Sequence, residues 1–158
     1  MGIDKVEFRR LMGRFATGVT VLGVKDLAGD AHGMTANAFS SLSLDPPLVL
    51  VCVDHRAHAH AMIPTAQRFS LSILSVDQKA VSGHFAGKPD PNAAFTWQWV
   101  DDTPVIDPCL SYMTCKLWAS YPGGDHTIYV GELTDLKVQD GDPLCFYASG
   151  YRRIGDPL

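Results

Sequence analysis

No apolar run in this chain approaches the roughly 18 to 20 residues that a bilayer-spanning helix needs, and nowhere do lysines and arginines gather into a block. The first absence argues against a membrane-spanning helix. The second, with a net charge of −4, argues against a nucleic-acid binder, because phosphate backbones are held by clustered cations. Met1-Gly2-Ile3-Asp4-Lys5 leads straight into a charged amphipathic stretch rather than a signal-peptide core, so a cytoplasmic location is expected. The four cysteines, Cys52, Cys109, Cys115 and Cys145, show no C-x-x-C spacing. Three of them sit in apolar stretches, where a free thiol serves as a small core residue, so neither a disulfide nor a zinc framework is expected. The glycines form neither G-x-G-x-x-G nor G-x-x-x-x-G-K-[ST], so any nucleotide cofactor has to be held by other means.

With 158 residues, 46% of them hydrophobic and 19% charged, the chain suits one ordinary folded domain over 1–158 rather than a disordered segment. It has no internal repeat and no linker. Asp4 followed by Glu7 looks like a capping box, and Val6, Leu11, Met12 and Phe15 fall near helical spacing, which predicts an opening amphipathic helix. The β-branched run Val19–Val24 predicts a strand that turns at Asp26–Asp30 into Gly33–Ala36. Leu48–Val53 reads as a core strand, and a short helix over Ala57–Met62 is expected to stop before Pro64. Phe69–Leu74 alternates with period two, and Asp77 is expected to cap a helix through Gln78, Val81 and Phe85. Lys88–Asn92 opens a surface excursion. Leu110–Tyr121 and Thr127–Val138 then form two long strands about Pro122-Gly123-Gly124-Asp125, and Leu144–Ala148 a last one. Helices do not alternate regularly with these strands, so an antiparallel barrel with a few helices is preferred to a βαβ sheet.

Four places carry residues suited to chemistry. Gly33–Ser41 sets Met34, Thr35, Ala36, Asn37, Ala38, Ser40 and Ser41 between apolar strands. Hydroxyls and backbone N–H groups suit a phosphate, Asn suits an amide-like ring edge, and Ala lets a flat ring approach; a self-satisfied polar turn is the alternative. Asp54-His55-Arg56-Ala57 follows the core strand, where a cation at a helix entry suits an anion. The histidines of that stretch, His55, His58 and His60, do not share one helical face and have no H-E-x-x-H companion, so no metal is expected. Phe85, Gly87 and Lys88 offer a second cation, against a plain helix C-cap. His126 beside Asp125 at a strand mouth suits orientation of a substrate or proton movement, against an exposed hairpin tip. Aromatics elsewhere are assigned to packing, except that Tyr151-Arg152-Arg153 suits a nucleotide's ring and phosphates.

These segments together resemble the flavin reductase-like FMN-binding split-barrel family, which includes the small reductase components of two-component flavin monooxygenases. The carriers are Phe8-Arg9 through Phe15-Ala16-Thr17-Gly18-Val19-Thr20-Val21, the run His32–Leu48, Phe69–Leu74 with Gln78, Phe85-Ala86-Gly87, and Gly124-Asp125-His126-Thr127 with Gly131-Glu132. The resemblance implies a mainly β fold with short helices, a six-stranded antiparallel split β-barrel that forms a homodimer. It implies FMN or FAD reduced by NADH or NADPH, and a monooxygenase partner that receives the reduced flavin. In this likeness Thr35, Ala36 and Asn37 line the isoalloxazine and ribityl chain, with Met34 and Ala38 beside them. Ser40 and Ser41 meet the phosphate, Asp54, His55, Arg56 and Ala57 add contacts, and Phe85, Gly87 and Lys88 complete the cofactor site. His126 is the catalytic candidate, where the nicotinamide enters, with Tyr151 and Arg152. The chain stops at Leu158, so a shortened C-terminal share of the nicotinamide site is expected. A flavin- or haem-binding module without turnover is the alternative on the same fold.

Overall fold

The Asp4 carboxylate accepts the backbone N–H groups of Val6 and Glu7, both at 2.9 Å, and so satisfies two of the donors that every helix start leaves free. The helix it opens, α1 (Lys5–Met12), buries none of its residues. The computed structural model describes residues 2–158. After α1 come β1 (Thr17–Gly18), β2 (Thr20–Lys25), β3 (Ala31–Ala36), β4 (Phe39–Leu44), β5 (Pro47–Asp54), α2 (His58–Ala66), β6 (Arg68–Ile73) and α3 (Lys79–His84). Then follow β7 (Thr96–Val100), β8 (Thr103–Asp107), β9 (Ser111–Gly123), β10 (His126–Val138), β11 (Cys145–Tyr147) and β12 (Gly150–Arg152). Among the described residues no helix is long and apolar enough to cross a membrane.

Seven strands make one antiparallel sheet in the order β3-β2-β6-β9-β10-β5-β4. Its two edge strands are neighbours in sequence, joined only by Asn37–Ala38, so the sheet curls until its edges meet at that corner without pairing. This is a split barrel, mainly β with short helices, as expected. The main sheet holds seven strands rather than six. β4 starts in the last part of the expected ligand loop, whereas the expected 144–148 strand joins a separate small sheet, β1-β11-β12.

The larger core packs Leu22, Val24, Val49, Val51, Val53, Phe69, Leu71 and Tyr129 against Ala59 and Ile63 of α2. The smaller gathers Val19, Val21, Leu74, Val81, Ile106 and Leu144. Three expectations about local elements are corrected here. α2 runs through Pro64 to Ala66 instead of stopping before it. Asp77 is not a cap: Gln78 holds the N-cap position of α3, and its side chain accepts from Ser75 N and donates to the Pro108 carbonyl. The 88–95 excursion ends in the unexpected β7–β8 hairpin, which covers the serine face of β6. Ser70 and Ser72 are therefore fully buried, with Ser70 Oγ donating to the Pro104 carbonyl and Ser72 Oγ accepting from Ile106 N. Gly23 permits this layer, because a Cβ there would stand 2.2 Å from the Pro104 oxygen.

Candidate active site

β5 buries Val49, Val51 and Val53 and presents Leu50, Cys52 and Asp54 on its opposite face, as period-two geometry requires. Cys52 N donates to the Ala38 carbonyl at 2.9 Å, which ties the corner between the edge strands to this second face. Exposed Asn37 stands at the corner and lines three adjoining clefts. The largest, about 510 Å³, runs between α1 (Phe8, Arg9, Met12) and Ala38, Ser40, Leu50 and Cys52. A second, about 170 Å³, has Thr35, Ser82, Ala86 and Tyr151 on its walls, and a third, about 270 Å³, has Thr17 and Phe39.

The 33–41 segment splits between cleft and core. Thr35 N donates to the Phe85 carbonyl (3.0 Å) and its hydroxyl to the Ser82 carbonyl (2.6 Å), while Ser82 Oγ and Tyr151 Oη share a bond of 2.7 Å. Thr35, Asn37, Ala86 and Tyr151 are thereby brought together. Met34 and Ala36 instead pack into the larger core, because β3 alternates and only every second side chain can face the cleft. The same rule separates the two serines. Ser40 pairs with Leu50 and lines the main cleft, whereas Ser41 pairs with Val49 on the other face, is exposed and lines none of the three clefts, and its carbonyl accepts the Ser40 hydroxyl. Phe85 packs its ring against Phe95 and Trp97, at 4.9 and 5.5 Å between centroids. Gly87 takes the left-handed turn (φ 82°). Lys88 and Arg152 are exposed and line none of the three clefts; the Arg152 guanidinium lies over the Tyr147 ring.

His126 lies directly across from Asp54 in the β10–β5 register. Asp54 is two residues beyond Cys52, roughly 7 Å along the strand from the wall of the main cleft. Its carboxylate accepts Arg56 N (2.8 Å), Nε (3.2 Å) and NH2 (2.8 Å). The Arg56 side chain, then the Arg56 backbone N–H, holds the carboxyl far below the usual carboxylate range. His126 Nδ1 lies 2.7 Å from Asp125 Oδ1, and that hydrogen bond lowers the Asp125 carboxyl as well. His55 N donates to the Asp125 carbonyl, His60 Nε2 sits 2.8 Å from Thr127 Oγ1, and the His55 and His60 rings are 4.8 Å apart. The histidines therefore brace the strand end that carries His126. Arg56, Ala57 and His58 open on a separate hollow with Leu27 and Met62. Among the described residues no three His, Cys, Asp or Glu side chains converge to hold a metal.

Sequence reasoning missed the α1 wall, Thr17, Cys52, Ser82 and Phe146. For Cys52 a signal existed, since it alternates with the core valines of β5, but an apolar residue on each face hid it. Burial raises its thiol pKa. Among the described residues Thr17 Oγ1 is shielded from solvent and has no hydrogen-bond partner.

A family model described as flavin reductase-like domain matches residues 12–155. This chain belongs to that family. The NADH-dependent flavin reductase of a Rhodococcus species is 40% identical over 154 residues, covering 96% of this chain and 88% of its own length. The reductase component of 4-hydroxyphenylacetate 3-monooxygenase from Thermus thermophilus is 40% identical over 151 residues, covering 95% and 97%. Among solved structures, the flavin reductase PheA2 superposes with a TM-score of 0.92 at 40% identity, over 98% of this chain and 100% of that one. The corner site of this flavin reductase-like chain fits a flavin. Its main cleft has the volume of a cofactor pocket, its walls are mostly apolar, and the polar groups at its corner, Asn37, Ser40 and the unpartnered Thr17 hydroxyl, both donate and accept.

Proposed function

We propose that this chain is an NAD(P)H:flavin oxidoreductase that reduces FMN or FAD and supplies the reduced flavin to a partner monooxygenase. The observation that carries the reading is the apolar cleft at the Asn37 corner, in a chain whose relatives bear flavin reductase names. Bound flavin supplies the ring that accepts hydride from the reduced nicotinamide, so no side-chain nucleophile is needed. Phe8, Met12, Ala38 and Cys52 line the cleft with apolar surface and would hold the ring there and exclude water. Asn37 donates and accepts at the amide-like ring edge, and Ser40 reaches toward the phosphate. His126, fixed by Asp125, orients the nicotinamide carboxamide from the strand end beyond Cys52.

The working form is a homodimer. Val6, Leu11 and Phe15 of the unburied opening segment, with Trp118 and Tyr121 of β9, leave large apolar side chains exposed, and a second copy of the chain would cover them. The functional test is oxidation of NADH and NADPH in air with FMN and with FAD, followed by nicotinamide absorbance. Oxidation with at least one pair is expected. Flavin binding without oxidation in any pair would instead favour a non-catalytic flavin- or haem-binding module on this barrel.

A further inference from the structure

Thr17 occupies β1, where it pairs with Phe146 at the entrance to the small sheet. It lines both the main cleft and the adjoining third cleft, each of which also touches Asn37 and Phe39. Among the described residues its Oγ1 makes no hydrogen bond, although the atom is shielded from solvent. A shielded hydroxyl without a partner is a cost that a valine of the same shape would avoid. Two other threonine hydroxyls nearby on the sheet are satisfied: Thr20 donates to the Ala36 carbonyl and Thr35 to the Ser82 carbonyl.

We propose that Thr17 is a ring-binding residue of the flavin site, its hydroxyl bonding the polar edge of the isoalloxazine. The inference rests on the flavin reductase reading and names a contact that reading does not require. To meet a bound ring the shielded hydroxyl would have to turn about the Cα–Cβ bond into the cleft that Thr17 lines, a move between staggered rotamers. The rotation breaks no hydrogen bond, because none exists. The ring edge carries carbonyl and nitrogen acceptors together with an N–H, and a hydroxyl is able to serve either kind. The hydroxyl thus takes up a ring-edge partner without giving up one it already has, which predicts an effect on flavin binding.

The test compares Thr17→Val and Thr17→Ser with the wild type. It measures the thermal midpoint without flavin, and the affinities for riboflavin, FMN and FAD by quenching of flavin fluorescence. Thr17→Val is expected to keep the fold, as its thermal midpoint without flavin reports, yet to bind all three flavins roughly 5- to 30-fold more weakly, the effect of one hydrogen bond. Thr17→Ser is expected to stay within about threefold of wild type for each. Equal affinities in Thr17→Val would overturn the proposal and take the hydroxyl out of the flavin site. A loss confined to FMN and FAD, with riboflavin unaffected, would overturn it by moving Thr17 to the phosphate end. Failure of wild type to bind any flavin would refute the parent reading, whereas wild-type binding that the valine does not disturb would refute this inference alone.

Discussion

Tyr129 donates its hydroxyl hydrogen to the carbonyl of His60 at 2.8 Å. In an α-helix that carbonyl belongs to the N–H four residues on, and here that residue is Pro64, which has none. A phenol from β10 therefore replaces the missing backbone donor. The helix passes its proline, closes at Gln67 with a left-handed φ of 58°, and is pinned to the sheet in the process.

Tyr129→Phe should destabilise the fold by about 1 to 2 kcal/mol, because it leaves the part-buried His60 carbonyl without a donor. For a chain of this size that is a fall in Tm of roughly 2 to 8 °C. Adding Pro64→Ala should recover part of the loss by restoring the helical N–H, whereas Pro64→Ala alone should change little. Additivity of the two substitutions within ~0.4 kcal/mol would show that the phenol does not stand in for the backbone.

The two serines should separate. Ser40→Ala is expected to weaken FMN binding by ~5- to 30-fold, the loss of one hydrogen bond to a charged acceptor, while Ser41→Ala binds as wild type does. Fluorescence titration with FMN measures both, and equal losses would mean that β4 does not divide them between its faces.

His126→Ala should leave flavin affinity within a factor of about two while lowering kcat/KM for NADH by ~10- to 100-fold, the scale of one orienting contact. Steady-state kinetics at saturating flavin reads this directly. A variant indistinguishable from wild type would return His126 to the role of a hairpin histidine.

The Asp54–Arg56 pair sets a pH dependence. A carboxyl held low in the folded state lends stability that is complete above its unfolded value, about 3.9, and is lost as pH falls through the folded value. Carboxyl NMR titration should place Asp54 below the ordinary aspartate range in wild type and back near it in Arg56→Ala. The stabilities of the two proteins should converge in strong acid. Identical Asp54 midpoints would mean that Arg56 is not the cause.

Sedimentation at micromolar concentration should show a dimer, and Leu11→Glu, on the exposed apolar face of α1, should shift it toward monomer. A wild type found only at 17.2 kDa would rule out the dimer at those concentrations.

What the residues by themselves determine is local. Asp4 caps α1 through donors two and three positions away. Asp26 builds the β2–β3 turn by accepting from Ala28 and Asp30. The glycine turn at Gly124 joins two long alternating strands in the order the pattern predicts. The Asn37 segment stands out as a candidate ligand loop, because its small and polar side chains interrupt apolar strands, but composition alone leaves a self-satisfied polar turn the better reading. Tertiary structure decided the rest. Which side of β4 each serine takes depends on its register with β5, and the burial of Ser70 and Ser72 depends on a hairpin whose contacts lie 34 residues away. The survival of α2 past Pro64 depends on a tyrosine 69 residues from His60. Capping and turn bonds close within a few residues, so composition and spacing reveal them. A partner supplied by a distant strand exists only after the sheet has curled, and no local pattern encodes it.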